Sequence, residues 1–392
     1  MRLLFVADGR SPIAINWIRH FVECGDEVHL VSTFACRPDL ALASLKVLPV
    51  AFSSLKETVS RPEASPRRRA GIWSAPALGL RTAARQWLGP LTIRRAAHTL
   101  RGIIERVKPD LVHALRIPYE GMVAAEAYTP GVPLILSVWG NDFTLHGPST
   151  PLMRHYTQWA VKVADALHAD CRRDIRLARQ WGFATDKPTL VIPGNGGIRL
   201  DLFHPPENPV RKPVVINPRG FRSYIRNDMF FRAIPLVLEK QPEARFVCPA
   251  MAGETQALQW IKELGIGHAV ELLPLIPHVQ MADLFRRAQL IVSPSIHDGT
   301  PNTLLEGMAC GCLPVAGDLE SIREWITPEQ NGLLFDANDP ASIAGAILNG
   351  LEDEALRAAA TGHNQKMLAS RAEYGACMNQ AKGFYKKVLG AG

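Results

Sequence analysis

"RLLFVADGRSPIAINWIRHFVECGDEVHLVST", residues 2–33, is the stretch from which the fold is read. RLLFVAD is an apolar run of strand length, Gly9 marks a turn, SPIAINWIRHFVECG carries apolar residues at helical spacing with a Gly stop, and EVHLVST is a second strand. That is a βαβ start.

Outward from it the alternation continues through DLVHAL, the helical YEGMVAAEAY, the strand PLILSVWG and a helix through WAVKVADAL into HADC. Short strands alternating with helices imply a parallel, doubly wound sheet with right-handed crossovers. After TLVIPGNGG the pattern breaks at residues 203–213, FHPPENPVRKP, where four prolines among polar residues read as a linker. A second series follows: PVVINPRG, DMFFRAIPLVLEKQ, ARFVCPA, ETQALQWIKELG, AVELLP, MADLFRRA and LIVSPS. Two similar α/β halves are expected, with ligands outside the carboxyl ends of the strands and the crevice between facing domains.

The chain's 392 residues suit two domains. Its 47% hydrophobic and 21% charged content describes a soluble globular protein. No apolar run is long enough to span a bilayer, and RLLFVA is too short for a signal-peptide core, so a cytoplasmic protein is expected. Seven scattered cysteines, with Cys310 and Cys312 off the zinc-site spacing, argue against a disulfide framework or a zinc site. The net charge of +7 is concentrated in residues 61–108, with ten Arg and one Lys against Glu63 and Glu105. Such a block points to an anionic partner, nucleic acid or a phospholipid surface, or to a solvated basic face.

Chemistry is sought in SPSIHDGTPNTLLEGMACGCLPVAG, residues 293–317, which sets Asp298 and Glu306 on either side of a Gly-Thr-Pro turn. Thr300 is placed to cap a helix that begins at Pro301 and runs to about Cys310, before Gly311. Its first amides and positive dipole end suit a phosphate. A diphosphate flanked by a sugar and a ribose would meet both acids.

These residues resemble glycosyltransferase family 4, the retaining group 1 enzymes, whose E-x₇-E motif precedes A-M-A-x-G-x-P-V-V-A. Asp298 stands for the family's first Glu, Glu306 matches the second, and GMACGCLPVAG follows. SVWGNDF is similar to the family's H-G-x-D, VIPGNGGIRLDLF to its I-P-N-G-V-D-x-x-x-F, and NPRGFRSYIRND to its G-R-x-x-x-x-K-G. The resemblance spans nearly the whole chain and implies a GT-B fold, α/β with two Rossmann-like parallel-sheet domains facing an interdomain cleft. It places an acceptor-side domain at residues 1–204 and a nucleotide-sugar domain at 212–372. A last helix, 373–392, would cross back to the first domain.

Residue by residue, the resemblance assigns Asp298 to the donor sugar's hydroxyls and Glu306 to the ribose. The amides of Gly299, Thr300, Pro301 and Asn302 form the diphosphate stretch, Pro301 lending position only. Arg219 matches the family's Arg, Arg226 is nearest to its Lys, and Arg222 could replace either. Two guanidiniums suit a diphosphate because each pairs two oxygens and stays charged. Asp142 matches the central motif and is assigned to catalysis with Asp298, Arg219 and Arg226. Where the family carries histidines this chain has Ile13 and Trp139, the latter set to stack on a sugar or to fill the core. Gly9 offers the close backbone approach that a phosphate or acceptor needs.

No D-x-D follows a strand, so no metal is expected and the arginines with the helix terminus must neutralise the leaving diphosphate. The implied activity is metal-independent, retaining transfer of a hexosyl group from a uridine or guanosine diphosphate sugar to a glycan or lipid-linked acceptor. Polysaccharide or glycolipid synthesis, peripherally on the inner face of the plasma membrane and without nucleic acid, is the expected setting. VADGRSP lacks G-x-G-x-x-G, which argues against a dehydrogenase. A nucleotide-sugar epimerase and a non-enzymatic nucleotide-sugar binder are the remaining alternatives.

Overall fold

The computed structural model describes residues 1–53, 85–207 and 212–390. The chain divides into two units, Met1–Gly196 together with Met378–Gly392, and Gly197–Cys377. Each is built on a parallel sheet with helical crossovers.

In the first unit the strands are β1 (Arg2–Ala7), β2 (Glu27–Ser32), β3 (Ser44–Val47), β4 (Leu111–Ala114), β5 (Leu134–Val138), β6 (Ala166–Ala169) and β7 (Thr189–Val191). They lie in the order β3-β2-β1-β4-β5-β6-β7, all pairs parallel. β1, β4, β5 and β6 are buried almost throughout, as expected for strands covered on both faces. α1 (Pro12–Glu23) starts on Ser11, whose hydroxyl accepts from the Ala14 amide, with Pro12 at the first helical position. The other helices are α2 (Ile93–Val107), α3 (Met122–Glu126), α4 (Pro151–Val163) and α5 (Arg172–Gln180). The helix read through WAVKVADAL stops at Val163. Asp165 exchanges hydrogen bonds with Leu134, its amide donating to the carbonyl and its carboxylate accepting from the amide, which pulls the following ALHA into the sheet as β6.

α12 (Tyr374–Gly390) contributes its part from Met378 onward to this unit. There Tyr385 is fully buried and stacked on Phe21, with ring centroids 4.6 Å apart. A run of buried polar groups passes through it. The Trp17 indole N–H donates to the Tyr385 hydroxyl (3.0 Å), Tyr385 bonds His113 Nδ1, and His113 Nε2 bonds Ser137 Oγ (2.9 Å). Ser137 then bonds His168 Nδ1 (2.8 Å), and His168 Nε2 bonds the Ile192 carbonyl (3.1 Å). Because the carbonyl can only accept, His168 carries its hydrogen on Nε2 and takes one from Ser137 at Nδ1. By the same step His113 is an Nε2–H imidazole that accepts from Tyr385. Burial pushes His113 well below the usual imidazole range and His168 down to about 4, which keeps both neutral.

The second unit's strands are β8 (Val214–Ile216), β9 (Arg245–Cys248), β10 (Val270–Leu272), β11 (Leu290–Ser293), β12 (Leu313–Gly317) and β13 (Leu333–Phe335). Their order is β10-β9-β8-β11-β12-β13, again all parallel. Its helices are α6 (Asn227–Leu238), α7 (Thr255–Leu264), α8 (His278–Arg287), α9 (Asn302–Ala309), α10 (Pro340–Glu352) and α11 (Glu354–Arg371). Phe203, read as the start of the linker, is buried in this unit's core beside Phe285. Residues 208–211 of that linker lie outside the described residues. In both sheets the strand order reverses once, between β1 and β4 and between β8 and β11, and the loops there are the natural ligand positions.

Candidate functional site

In the second unit the loop after β8 and the loop after β11 run alongside each other. Ile225 and Ser295 form an antiparallel bridge, the Arg226 amide donates to the Pro294 carbonyl, and the Ile296 amide donates to the Tyr224 carbonyl. Within the first loop, Asn217 Oδ1 accepts the Arg219 amide (3.2 Å), and Asn227 Nδ2 donates to the Gly220 carbonyl (2.8 Å). Gly220 takes φ +60°, a turn that suits glycine. The result is a fixed Arg219, only 9% exposed, whose Nη2 donates to Asp298 Oδ2 (2.5 Å) and Nη1 to Thr303 Oγ1 (3.2 Å). Ser295 Oγ donates to the same carboxylate oxygen (3.0 Å). Among the described residues, Arg219 Nε and Asn302 Oδ1 are buried without a hydrogen-bond partner.

α9 begins one residue later than the sequence suggests. Its helical residues start at Asn302, with Pro301 at the cap position and no side-chain cap. Thr300 does not cap because its hydroxyl accepts the Trp325 indole N–H (2.9 Å). The Gly299 amide donates to Asp298 Oδ1 (3.1 Å), so of the expected diphosphate stretch the uncapped turn at Asn302 and Thr303 remains the better anion position.

Glu306 sits farther along α9, 4% exposed, its Oε1 2.7 Å from His278 Nε2 at the start of α8. Burial pushes the Glu306 carboxyl up against the opposing pull of His278, whereas the bond to Glu306 pushes the His278 imidazole up. His278 also lies against Phe203, ring centroids 5.0 Å apart. Neither Ser295 nor His278 was singled out from the sequence, and Thr303 was read only for its amide and its helix face; the fold gives each its partner.

Arg226 does not join Arg219. It makes a two-pronged pair with Asp228 (2.9 Å for each bond) and bonds Asn338 Oδ1, while Arg222 bonds the Tyr224 hydroxyl. Asn338 lines a cavity of about 460 Å³ with Ser295, Asp318 and Asp336, at the ends of β11, β12 and β13. Of the two expected phosphate arginines, only Arg219 is brought to Asp298 and α9.

In the first unit Asp142 is fully buried. Its Oδ1 accepts from Arg116 Nε (3.1 Å), and its Oδ2 accepts the amides of Ile117 (3.2 Å) and Trp139 (3.1 Å). Burial pushes this carboxyl up, with Arg116 opposing. Asp142, assigned to catalysis by the resemblance, thus bonds Arg116 and the Trp139 amide and is itself walled in. Gly9 is packed away from ligand: its amide donates to Ser32 Oγ (3.0 Å), and a Cβ there would lie 2.9 Å from that oxygen and closer still to Cys36 Sγ. Its glycine is required by packing.

Residues 201–367 match the family model described as glycosyl transferases group 1, and residues 11–194 match the glycosyl transferase 4-like domain. This chain belongs to the group 1 glycosyltransferases. It is 26% identical over 285 residues to a D-inositol 3-phosphate glycosyltransferase of Catenulispora acidiphila, covering 65% of this chain and 68% of that one. It spans about half the length of the next curated relatives it matches. Among solved structures it is similar to sucrose-phosphate synthase from Thermosynechococcus elongatus (TM-score 0.76, 15% identity, 100% of both chains). Similar too is Anabaena HepE in complex with UDP-glucose (TM-score 0.69, 17% identity, 100% of both chains). These neighbours establish the GT-B fold.

In this member of the family, much of the basic block, including Arg61, Arg67, Arg68, Arg69, Trp73, Leu78, Leu80 and Arg81, lies outside the described residues. Of the remainder, Ile93 is in the core, whereas Trp87, Leu88 and Leu91 are 59%, 50% and 67% exposed. Among the described residues no helix is long and apolar enough to cross a membrane. Asp170, Cys171 and Asp174 bring potential ligand atoms within 4.8 Å of one another at the start of α5. Arg173 already donates to Asp174 Oδ1 and to the Gly140 carbonyl there, so a cation would meet a guanidinium.

Proposed function

We propose that the chain is a retaining glycosyltransferase that moves a sugar from a uridine or guanosine diphosphate sugar to a glycan or lipid-linked acceptor. The observation that carries this reading is the part-buried Arg219–Asp298–Thr303 contact at the uncapped start of α9. The bond between the anomeric carbon and the diphosphate breaks, and one from that carbon to the acceptor oxygen forms on the same face. A phosphate oxygen takes the acceptor's proton. Charge builds on the leaving diphosphate, where Arg219 and the first amides of α9 can stabilise it without reorganising. Asp298, held by Arg219 and Ser295, is oriented to receive sugar hydroxyls, and Glu306 a ribose hydroxyl.

Incubation with uridine and guanosine diphosphate sugars, with the anomeric configuration of the product read by NMR, tests this directly. Transfer with retention that survives EDTA is the expected result. Inversion, or strict dependence on added Mg²⁺ or Mn²⁺, overturns the mechanism. A donor consumed with no free diphosphate released would point to the epimerase.

Exposed Trp87, Leu88 and Leu91, together with the basic residues 94 and 95, support work at an anionic lipid surface. Flotation with liposomes should show binding that rises with anionic lipid and falls with salt. Equal recovery on neutral vesicles counts against it.

A further inference from the structure

The carboxyl edge of the first sheet carries a second set of polar groups. Four neighbouring strands deliver it: Arg10 follows β1, Phe34 follows β2, Arg116 follows β4 and Trp139 follows β5. Arg10 stacks on the Phe34 ring at 3.5 Å from its centroid, and Arg85 approaches the same ring at 5.5 Å. Arg85 also lies 4.8 Å from the Tyr119 ring centroid, in the turn that Arg116 opens, and Arg116 lies 5.8 Å from that of Trp139. Three guanidiniums and three aromatic rings thus lie around the switch point of the sheet.

The charges there are unevenly matched. Arg10 pairs with Asp8 (2.9 Å) and Arg116 with Asp142 (3.1 Å), but among the described residues Arg85 has no carboxylate ion pair. Of the other acids here, Asp170, after β6, accepts the Gly140 amide (3.5 Å), and Glu120 is buried and accepts the Thr33 hydroxyl (2.6 Å). Its burial pushes the carboxyl up, which weakens its pull on Arg85, and the nearby His146 is kept neutral by burial and by the two arginines, down to about 3. Among the described residues, two buried donor atoms at this edge have no hydrogen-bond partner, Arg85 Nε and Trp139 Nε1. Arg116 is held at φ +140° and ψ 149°, a conformation costly for any residue but glycine. Its pairing with Asp142 orients the guanidinium.

We propose that this edge binds a phosphate monoester carried by the acceptor, held by Arg10, Arg85 and Arg116 and by the indole N–H of Trp139. The inference rests on the glycosyl-transfer reading and adds the acceptor's chemistry to it. A phosphate supplies acceptor oxygens for the two donors, Arg85 Nε and Trp139 Nε1, and negative charge for Arg85, which has no carboxylate ion pair among the described residues.

Calorimetric titration of the full chain with glucose 6-phosphate and myo-inositol 1-phosphate, each against its neutral parent, tests it. The phosphorylated probe should bind at least about tenfold more tightly than the parent, less so at high salt. Arg85→Gln and Trp139→Phe should each cost about fivefold or more for the phosphorylated probe while both variants keep a wild-type circular dichroism spectrum. Equal affinity for probe and parent overturns the proposal. So does no binding of either phosphorylated probe up to about 10 mM, or an Arg85→Gln chain that binds them as wild type does. Phosphatidylcholine vesicles with and without phosphatidylinositol 4-phosphate, whose headgroup carries a phosphate monoester, separate the two sources. Recruitment lost in Arg85→Gln places the phosphate on a lipid headgroup, and soluble binding alone places it on a free sugar phosphate. Thermal shift with uridine and guanosine diphosphate, sensitive to Arg219→Lys, reports on the glycosyl-transfer reading separately. A chain that binds the diphosphates but no phosphorylated sugar keeps that reading and loses this one.

Discussion

Arg219 and Asp298 are mutually dependent: Arg219 is buried, the Asp298 side chain is 15% exposed, and each is the other's charge partner at 2.5 Å. Asp298→Ala leaves a buried guanidinium uncompensated and should cost about 3 kcal/mol of unfolding free energy besides slowing transfer. Asp298→Asn, which keeps an acceptor, should fold better and still transfer slowly. Denaturant titration beside kcat measurements checks the split; two variants of equal stability would show that the pair is not structural. Arg219→Lys should lower kcat/KM by about tenfold or more, because an ammonium cannot bond Asp298, Thr303 and a phosphate in one plane. At this scale the sequence is half legible. The acids and Arg219 stand in a recognisable spacing, but Ser295, Thr303 and His278 become partners only when distant segments meet. Gly9 shows the converse, since a glycine after a strand reads as room for ligand and here makes room for Cys36.

Helix termini decide what the elements offer. Thr300, the cap that the local pattern offers for α9, has its hydroxyl bonded by Trp325, a contact 25 positions away that no local pattern contains, and Pro301 stands at the cap position. The strand–helix alternation was legible because burial on both faces leaves long apolar runs; the start of β6 was not, because the hydrogen bonds to Asp165 that end α4 are made across the sheet. At the α8–α9 contact, His278 is raised by Glu306, so its stabilising effect is full below the ordinary imidazole pKa of about 6.5 and fades as pH rises through the higher folded value. The stability difference between wild type and His278→Gln should therefore shrink from pH 6 toward pH 9. A difference that stays level across that range would mean that the contact does not depend on charge.

For the whole molecule, acid sensitivity should come from the first unit. His113 and His168 are neutral when folded and free to charge when unfolded, so their contribution is complete above about pH 6.5 and is lost as pH falls toward about 4. For His168 alone the loss is about 3 kcal/mol at pH 4. Long-range nitrogen–proton NMR should find both rings as Nε2–H forms that do not titrate above pH 5. A ring charging near 6.5 in the folded protein contradicts the assignment. Tyr385→Phe removes the donor that His113 needs and should cost about 1 to 3 kcal/mol. The sequence held a final helix in view but not this tyrosine, whose partners lie more than 270 positions away in the chain.

One end of that run, an indole N–H, can only give, and the other, a peptide carbonyl, can only take. The hydrogens between them therefore point one way, and no member can be swapped for a group that merely gives or merely takes without stranding its neighbour. Trp17, His113, Ser137, His168 and Tyr385 are in effect a single heritable unit. Drift through sequence space should change them in company or leave them alone, and a saturation library selected for folding should recover their replacements as sets and not singly.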